Sequence, residues 1–330
     1  MQYLTIKKEE WDKTIEQLLL SYAIFASASN EFGLDYEIIN PANIKRITYN
    51  RAKPVTSLKS FFLPVKENVT SGELSEKRRI IIGVPNCDIC GLKLLDEIYL
   101  DKDFNDIYYR ERRENTLLIS VDCFEKQEHC HCKTYDVSPW AESDADLAAI
   151  QIGDQIVLRV ISEKGEEFIN QLSLVEVLND ESVISEIEKK HILAESLLLS
   201  DNKDLPDYKK SGGLLKEAGM ALWRKYSSHC VSCGACATIC PTCSCFLLID
   251  KPGFEKIKQM DACQYPGFER VAGGEDALYE LAGRFRNRYM CKYVWKPEKF
   301  SSPACTGCGR CIEACIGKIS KNELLIEIAR

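Results

Sequence analysis

The sequence predicts an α+β protein in two parts, an N-terminal mixed α/β domain over residues 1–205 and an α-helical domain over residues 206–330. Three observations predict it. The 330 residues are too many for one small module and comfortable for two domains. Seventeen cysteines are divided unevenly, five before residue 206 and twelve after it. Charge divides at the same place: residues 1–205 carry 24 Lys and Arg against 37 Asp and Glu, and residues 206–330 carry 19 against 13, so nets of −13 and +6 sum to the chain's −7. The polar stretch 201–210, with Pro206 inside it, reads as the linker.

Residues 9–22 place apolar side chains at helical spacing, and a strand is expected over 23–28. The β-branched run 79–84 reads as a buried strand that ends at Pro85-Asn86-Cys87-Asp88. Helices are expected over 92–100 and 106–114. Residues 116–121 form a second buried strand, ending at Asp122-Cys123. Two strands that each end in a cysteine would set both sulfurs along one edge of a sheet. Residues 155–160 and 166–172 flank Glu163-Lys164-Gly165, which predicts a hairpin. Helices are expected over 182–199, over 214–226 leading to Cys230, and over 275–290. The last carries Arg284, Arg286 and Arg288, which either donate to a bound group, face a partner or form a solvated face.

With 45% hydrophobic and 28% charged residues the chain can bury a core and stay soluble. No apolar stretch is long enough to span a bilayer; the best candidate, residues 18–28, is short and interrupted by Ser21 and Tyr22. The N-terminus lacks the apolar core of a signal peptide. These features predict a cytoplasmic chain with no membrane span. An odd cysteine count in a long chain without an export signal argues for metal ligation over a disulfide framework.

The one internal repeat is C-x2-C-x2-C-x3-C. It occurs at Cys230, Cys233, Cys236 and Cys240, followed by Pro241, and again at Cys305, Cys308, Cys311 and Cys315, followed by Ile316. This spacing is the bacterial ferredoxin run. Three closely spaced cysteines wrap one cubane, while the fourth, expected at the start of a helix pointing away, reaches the other. The helical part is therefore expected to be a ferredoxin-like domain with two [4Fe–4S] clusters, ligated cross-wise. One takes Cys230, Cys233, Cys236 and Cys315; the other takes Cys305, Cys308, Cys311 and Cys240. Gly234, Gly307 and Gly309 suit amides that must turn towards cluster sulfides. Ile316 departs from the usual proline without removing a ligand. Zinc is the alternative, but its sites favour two C-x2-C pairs over triplets with an outlier. The basic excess of residues 206–330 then compensates anionic clusters rather than marking nucleic acid. Cys236-x3-Cys240-x2-Cys243 also matches radical-SAM spacing, with Gly273-Gly274-Glu275 as a binding triplet. It overlaps the ferredoxin run and lacks a barrel's strand–helix repeat, so it is set aside.

Two further groups of cysteines remain. Cys87, Cys123, Cys130 and Cys132 are candidates for a third iron–sulfur centre, with Cys90 left over; ordinary buried thiols are the alternative. Cys243, Cys245, Cys263 and Cys291 are small buried hydrophobes, shields for the clusters, or ligands of something extra.

The order of Asn86-Cys87-Asp88, Leu95-Asp96, Tyr108 to Arg113, Asp122-Cys123, Cys130-x-Cys132, the run Cys230 to Phe246, Asp261-Ala262-Cys263 and Cys308-Gly309-Arg310-Cys311 carries a likeness. It resembles the family of sulfhydrogenase beta subunits and the dicluster electron-transfer subunits of anaerobic sulfite reductases. The likeness covers roughly residues 40–330. His131 stands where that family usually has Phe, and Cys90 and Cys291 are unusual. The resemblance implies a two-domain electron-transfer subunit. It would relay electrons between a flavin- and NAD(P)H-binding diaphorase subunit and a catalytic subunit of hydrogenase or sulfite reductase type. The chain has no G-x-G-x-x-G nucleotide loop, so flavin and NAD(P)H are expected on a partner. Two other functions compete: a catalytic subunit that reduces a disulfide or sulfur substrate at an N-terminal cluster, and a zinc-stabilised nucleic-acid-binding protein.

Overall fold

A computed structural model describes residues 3–31, 33–51, 53–72, 77–172 and 175–330. In chain order the first half runs β1 (Tyr3–Lys7), α1 (Lys8–Leu18), β2 (Ala23–Asn30), β3 (Gly33–Ile38), β4 (Lys66–Asn68), β5 (Arg79–Pro85), α2 (Asn86–Tyr99), α3 (Ile107–Glu114), β6 (Thr116–Val121), β7 (Leu147–Ile152), β8 (Gln155–Val160), α4 (Glu163–Asn170), β9 (Glu176–Val177) and α5 (Glu181–Asp201). The second half runs α6 (Tyr208–Glu217), α7 (Met220–Ser227), α8 (Ala235–Thr238), β10 (Phe246–Lys251), β11 (Glu255–Met260), α9 (Leu281–Met290), α10 (Lys296–Phe300), α11 (Arg310–Glu313) and α12 (Lys321–Ala329).

An eight-stranded mixed sheet in the order β3-β2-β5-β6-β7-β8-β1-β9 organises the first half. β2, β5, β6 and β7 are parallel neighbours, and the remaining pairs are antiparallel. β5 and β6 are continuous apolar runs because a central parallel strand is covered on both faces. Alternation divides them: Ile80 and Ile82 join Trp11 and Ile15 of α1 in one core. Ile81 and Leu118 join Leu92 and Leu95 of α2, with Phe62 and Tyr109, in the other. Each such side chain contributes about 1.5–3 kcal/mol when fully buried. A parallel pair needs a crossover, and α2 and α3 supply it. Asp106 caps α3 by accepting from the Tyr108 and Tyr109 amides at 3.1 and 3.0 Å. Asp96 anchors α3 to α2, accepting from Tyr109 Oη at 2.7 Å and Arg113 Nη2 at 2.9 Å. The motif residues between 95 and 113 are thus structural.

Several elements differ from expectation. α2 begins at Asn86, so Cys87 lies in a first helical turn rather than at a strand tip. The hairpin expected around residues 163–165 is the helix α4, capped by Ser162 Oγ, which accepts from the Gly165 amide at 3.1 Å. Gly165 is needed there because a side chain would strike the Asp146 carbonyl, not because the chain turns. The hairpin is β7–β8, turning at Gly153, whose φ is +58°. The helix expected over 214–226 breaks at Ala218-Gly219 into α6 and α7. The arginine-rich helix starts only at Leu281. The second half is not wholly helical either: β10 and β11 form a hairpin that pairs with β4 of the first half. No helix among the described residues is long and apolar enough to cross a membrane.

Buried charge ties the halves together. Arg310, fully buried in α11, donates to both Asp88 carboxylate oxygens at 2.5 and 3.0 Å and to the Pro54 carbonyl at 2.8 Å. Lys59 donates to the Ala237 and Cys243 carbonyls at 2.8 and 3.0 Å. Lys258 pairs with Asp106 and Glu67 at 2.5 and 2.8 Å. Removing one partner of such a pair strands the other charge in the interior. Asp88→Leu is expected to cost about 3–5 kcal/mol in urea unfolding of the anaerobic protein, and the double substitution Asp88→Leu with Arg310→Met to recover much of that loss.

Candidate metal centres

The two cysteine runs fold alike. In each, a glycine with positive φ (Gly234 at +72°, Gly309 at +77°) starts a four-residue helix carrying the third cysteine, Cys236 in α8 and Cys311 in α11. Cys240 and Cys315 sit just past these helices rather than at the start of new ones. α8 and α11 pack against each other, so each fourth cysteine is carried towards the opposite run.

Cys230, Cys233, Cys236 and Cys315 line one cavity, which holds about 510 Å³ of space not filled by atoms; Cys311 lies on the same wall. Arg288 of α9 lines it too, and its buried Nε and Nη2 have no hydrogen-bond partner. An unpartnered buried guanidinium beside a thiolate set fits an anionic group with sulfur acceptors. Arg284 is spent on the Gln264, Leu278 and Tyr279 carbonyls, and Arg286 is half-exposed.

Cys240 lies within electrostatic reach of Cys305 and Cys308, and Cys308 of Cys311. Lys292 donates to Cys240 Sγ at 3.0 Å, to Thr242 Oγ1 at 2.7 Å and to the Ala304 carbonyl at 3.0 Å. A hydrogen bond from the Cys243 thiol, with the charges of Lys292 and Lys59, holds Cys240 well below the ordinary thiol range. Against the opposing effect of burial, Lys321 and Lys292 also bring Cys305 down. Burial pushes Cys308 up to about 12.

Cys87, Cys123, Cys130 and Cys132 line a further cavity, of about 470 Å³ of space not filled by atoms. β5 and β6 end side by side, Pro85 opposite Val121, which delivers Cys87 and Cys123 to it. Burial pushes Cys87 and Cys123 well up and Cys132 to about 12, so bare thiolates would be costly there without a bound cation. Cys90, one turn along α2, donates instead to Asn86 Oδ1 at 3.7 Å. Gly307 and Cys308 of the second run form part of this wall. The His131 amide donates to the Gly307 carbonyl at 2.9 Å, and any side chain at Gly307 (φ +66°) would strike the His131 carbonyl and Cys132. Among the described residues, no three or more Cys, His, Asp or Glu side chains surround one ion-sized point. A tetrahedral zinc site would need sulfurs about 2.3 Å from such a point.

His131 is fixed from both sides. Nδ1 is 2.6 Å from the His129 carbonyl and Nε2 is 2.8 Å from Lys321 Nζ. These partners assign the proton to Nδ1 and leave Nε2 to accept. The sequence reading missed Lys59, Lys292 and Lys321. No pattern announces a buried lysine, since lysines are rarely fully buried. Arg310 alone carried a signal, its place between Cys308 and Cys311.

A family model described as a 4Fe-4S dicluster domain matches residues 229–319. The chain is 28% identical to "Sulfhydrogenase 2 subunit beta" of Pyrococcus furiosus over 99% of its own length and 98% of that protein's. No solved structure matches the chain. The likeness to sulfhydrogenase beta subunits thus extends beyond residues 40–330 to nearly the whole chain, and with the dicluster domain it supports an iron–sulfur electron-transfer subunit. The departure at His131 is testable. His131→Phe removes the imidazole acceptor of a buried ammonium and is expected to cost about 1–3 kcal/mol in urea unfolding. Adding Lys321→Met should cancel most of that cost in a double-mutant cycle.

Proposed function

We propose that this chain relays single electrons between a flavin- and NAD(P)H-binding diaphorase subunit and a catalytic subunit of hydrogenase or sulfite reductase type, in a cytoplasmic complex. Cys230, Cys233, Cys236 and Cys315 hold one [4Fe–4S] cluster; Cys305, Cys308, Cys311 and Cys240 hold a second; Cys87, Cys123, Cys130 and Cys132 hold a third. The observation that carries the reading is the contiguity of the three sulfur sets, with Cys308 on the wall of the N-terminal cavity and Cys311 on the wall of the first-run cavity. When bound, such clusters supply one-electron oxidation and reduction.

The chain's own residues do the rest. The thiolates fix the three positions. Arg288 offers two free donors, and Lys292 and Lys321 place positive charge beside Cys240 and Cys305. A nearby cation favours the more negative, reduced state and raises the potential. Tyr289, Tyr293 and Tyr135 are buried around the sulfurs and keep water out.

Iron, sulfide and zinc counts on anaerobically isolated protein, with low-temperature EPR after dithionite, test the assignment. Matched iron and sulfide with reducible paramagnetic signals are expected, and Cys123→Ser with Cys132→Ser should remove about four irons and leave the remaining signals. Zinc without iron or sulfide would overturn the reading. For the relay itself, reduction by NAD(P)H should require an added flavin subunit; direct reduction by NAD(P)H alone would oppose it. Arg288→Gln should lower one midpoint potential in an EPR-monitored titration, by ~60 mV for each ~1.4 kcal/mol of lost charge stabilisation.

A further inference from the structure

Four cysteines outside the three sets come together from three separate segments. Cys245 immediately precedes β10, and Cys263 lies three residues beyond β11. The hairpin between them closes with the Asp261 amide donating to the Cys245 carbonyl at 3.0 Å. Closure brings the Cys245 and Cys263 thiols within hydrogen-bonding reach of each other. Cys243 and Cys291 are the next charged neighbours of Cys245. Cys291 opens a π-helical turn, Cys291–Trp295, that continues α9; such wide turns often mark functional positions.

The surroundings favour anionic sulfur. Lys59 reaches this pocket from the first half of the chain, 5% exposed, with Cys243, Cys240, Lys292 and Cys245 around it. Its ammonium donates only to carbonyls, those of Ala237 and Cys243, and meets no carboxylate among the described residues. Lys296 donates to the Thr242 carbonyl at 2.6 Å and to Ser244 Oγ at 3.1 Å, so the loop holding Cys243 and Cys245 is pinned by two cations. Cys240 stands beside two buried ammoniums, Lys59 and Lys292, so one thiolate does not balance both, and metal-bound sulfur at Cys243 would supply the remaining negative charge.

We propose that Cys243, Cys245, Cys263 and Cys291 hold a further iron–sulfur centre. The proposal rests on the reading of the chain as an iron–sulfur carrier. The site lies between two of the others: Cys263 is a neighbour of Cys236, and the Cys243 sulfur lies within hydrogen-bonding reach of Cys240. With this assignment sixteen of the seventeen cysteines are ligands and Cys90 alone is not.

The test uses the full chain, isolated anaerobically and reconstituted with iron and sulfide. Iron, sulfide and zinc are counted in the wild type, in Cys245→Ser with Cys263→Ser, and in Cys90→Ser. The double variant should lose two irons and two sulfides if the centre is binuclear, or about four of each if it is a cubane, while the EPR signals of the other clusters persist. Cys90→Ser should lose none. Unchanged iron, or the loss of one zinc in place of iron, would overturn the proposal. Should the double variant fail to fold, Mössbauer quantification of iron in Cys123→Ser with Cys132→Ser, which lacks the N-terminal set, decides: a count above eight per chain supports the centre, and eight or fewer overturns it. A wild type holding zinc and no iron would instead sink the electron-carrier reading itself, and the two failures are thereby distinguished.

Discussion

Buried positive charge is the constraint on which the rest of this structure depends. Lys59, Arg288, Lys292, Arg310 and Lys321 are each between 1% and 5% exposed, and each lies close to cysteine sulfur. Desolvating an isolated ammonium or guanidinium costs several kcal/mol even after relaxation. Of these five, and among the described residues, only Arg310 recovers that cost from a carboxylate, Asp88. The other four meet carbonyls, hydroxyls, an amide oxygen, an imidazole or a cysteine sulfur, and two of the Arg288 donors meet nothing. Their stability in the interior therefore depends on negative charge at the sulfurs, which metal ligation provides at neutral pH.

The same cations bind the two halves into one unit. Arg310 reaches from a ferredoxin-type loop to Asp88, one residue from Cys87. Lys59 reaches the other way, from the first half to the loop after α8. Gly307 allows the second run to lie backbone to backbone on the loop of Cys130 and Cys132. Each tie ends within a residue or two of a cysteine. Movement between the halves would therefore change sulfur positions directly. A relay that works by proximity gains from such rigidity, because the distances between its centres are then set by packing.

What could be read from the sequence follows the same division. β5 and β6 were legible because a strand buried on both faces must be apolar throughout, although Cys87 lies in the first turn of α2 rather than at the end of β5. The ferredoxin runs were legible because three thiols and a glycine in so short a loop serve little else. α4 was misread because Gly165, demanded by the Asp146 carbonyl, imitates a turn residue. The break between α6 and α7 falls at Gly219, a signal too weak to override the apolar periodicity around it. The buried lysines were illegible in principle. Nothing local distinguishes Lys292 from a solvated neighbour, and only the distant Cys240 and Ala304 give it a reason to be buried.

The three cysteine sets are also contiguous. Cys308 belongs to the wall of the N-terminal cavity and Cys311 to that of the first-run cavity, so the second run lies between them. Its cysteines Cys305, Cys308 and Cys311 are buried or half-buried, while Cys233 at the far end of the first run is exposed beside Val231, itself 60% exposed. A group held by the middle set would be better shielded from solvent than one held by the first run. The first-run loop, by contrast, brings sulfur to the surface next to an apolar side chain, the combination that a partner's docking face would cover. Local charge differs among the sets: Arg288 stands at the first-run cavity, Lys292 beside Cys240 and Lys321 beside Cys305. The N-terminal set has the half-buried Cys130 near Lys53, and Arg310 beside Cys87 is already neutralised by Asp88. Lys53 and Lys133 at that end are likewise offset by carboxylates, Glu313 and Glu195, whereas Arg288, Lys292 and Lys321 beside the two runs meet no carboxylate among the described residues.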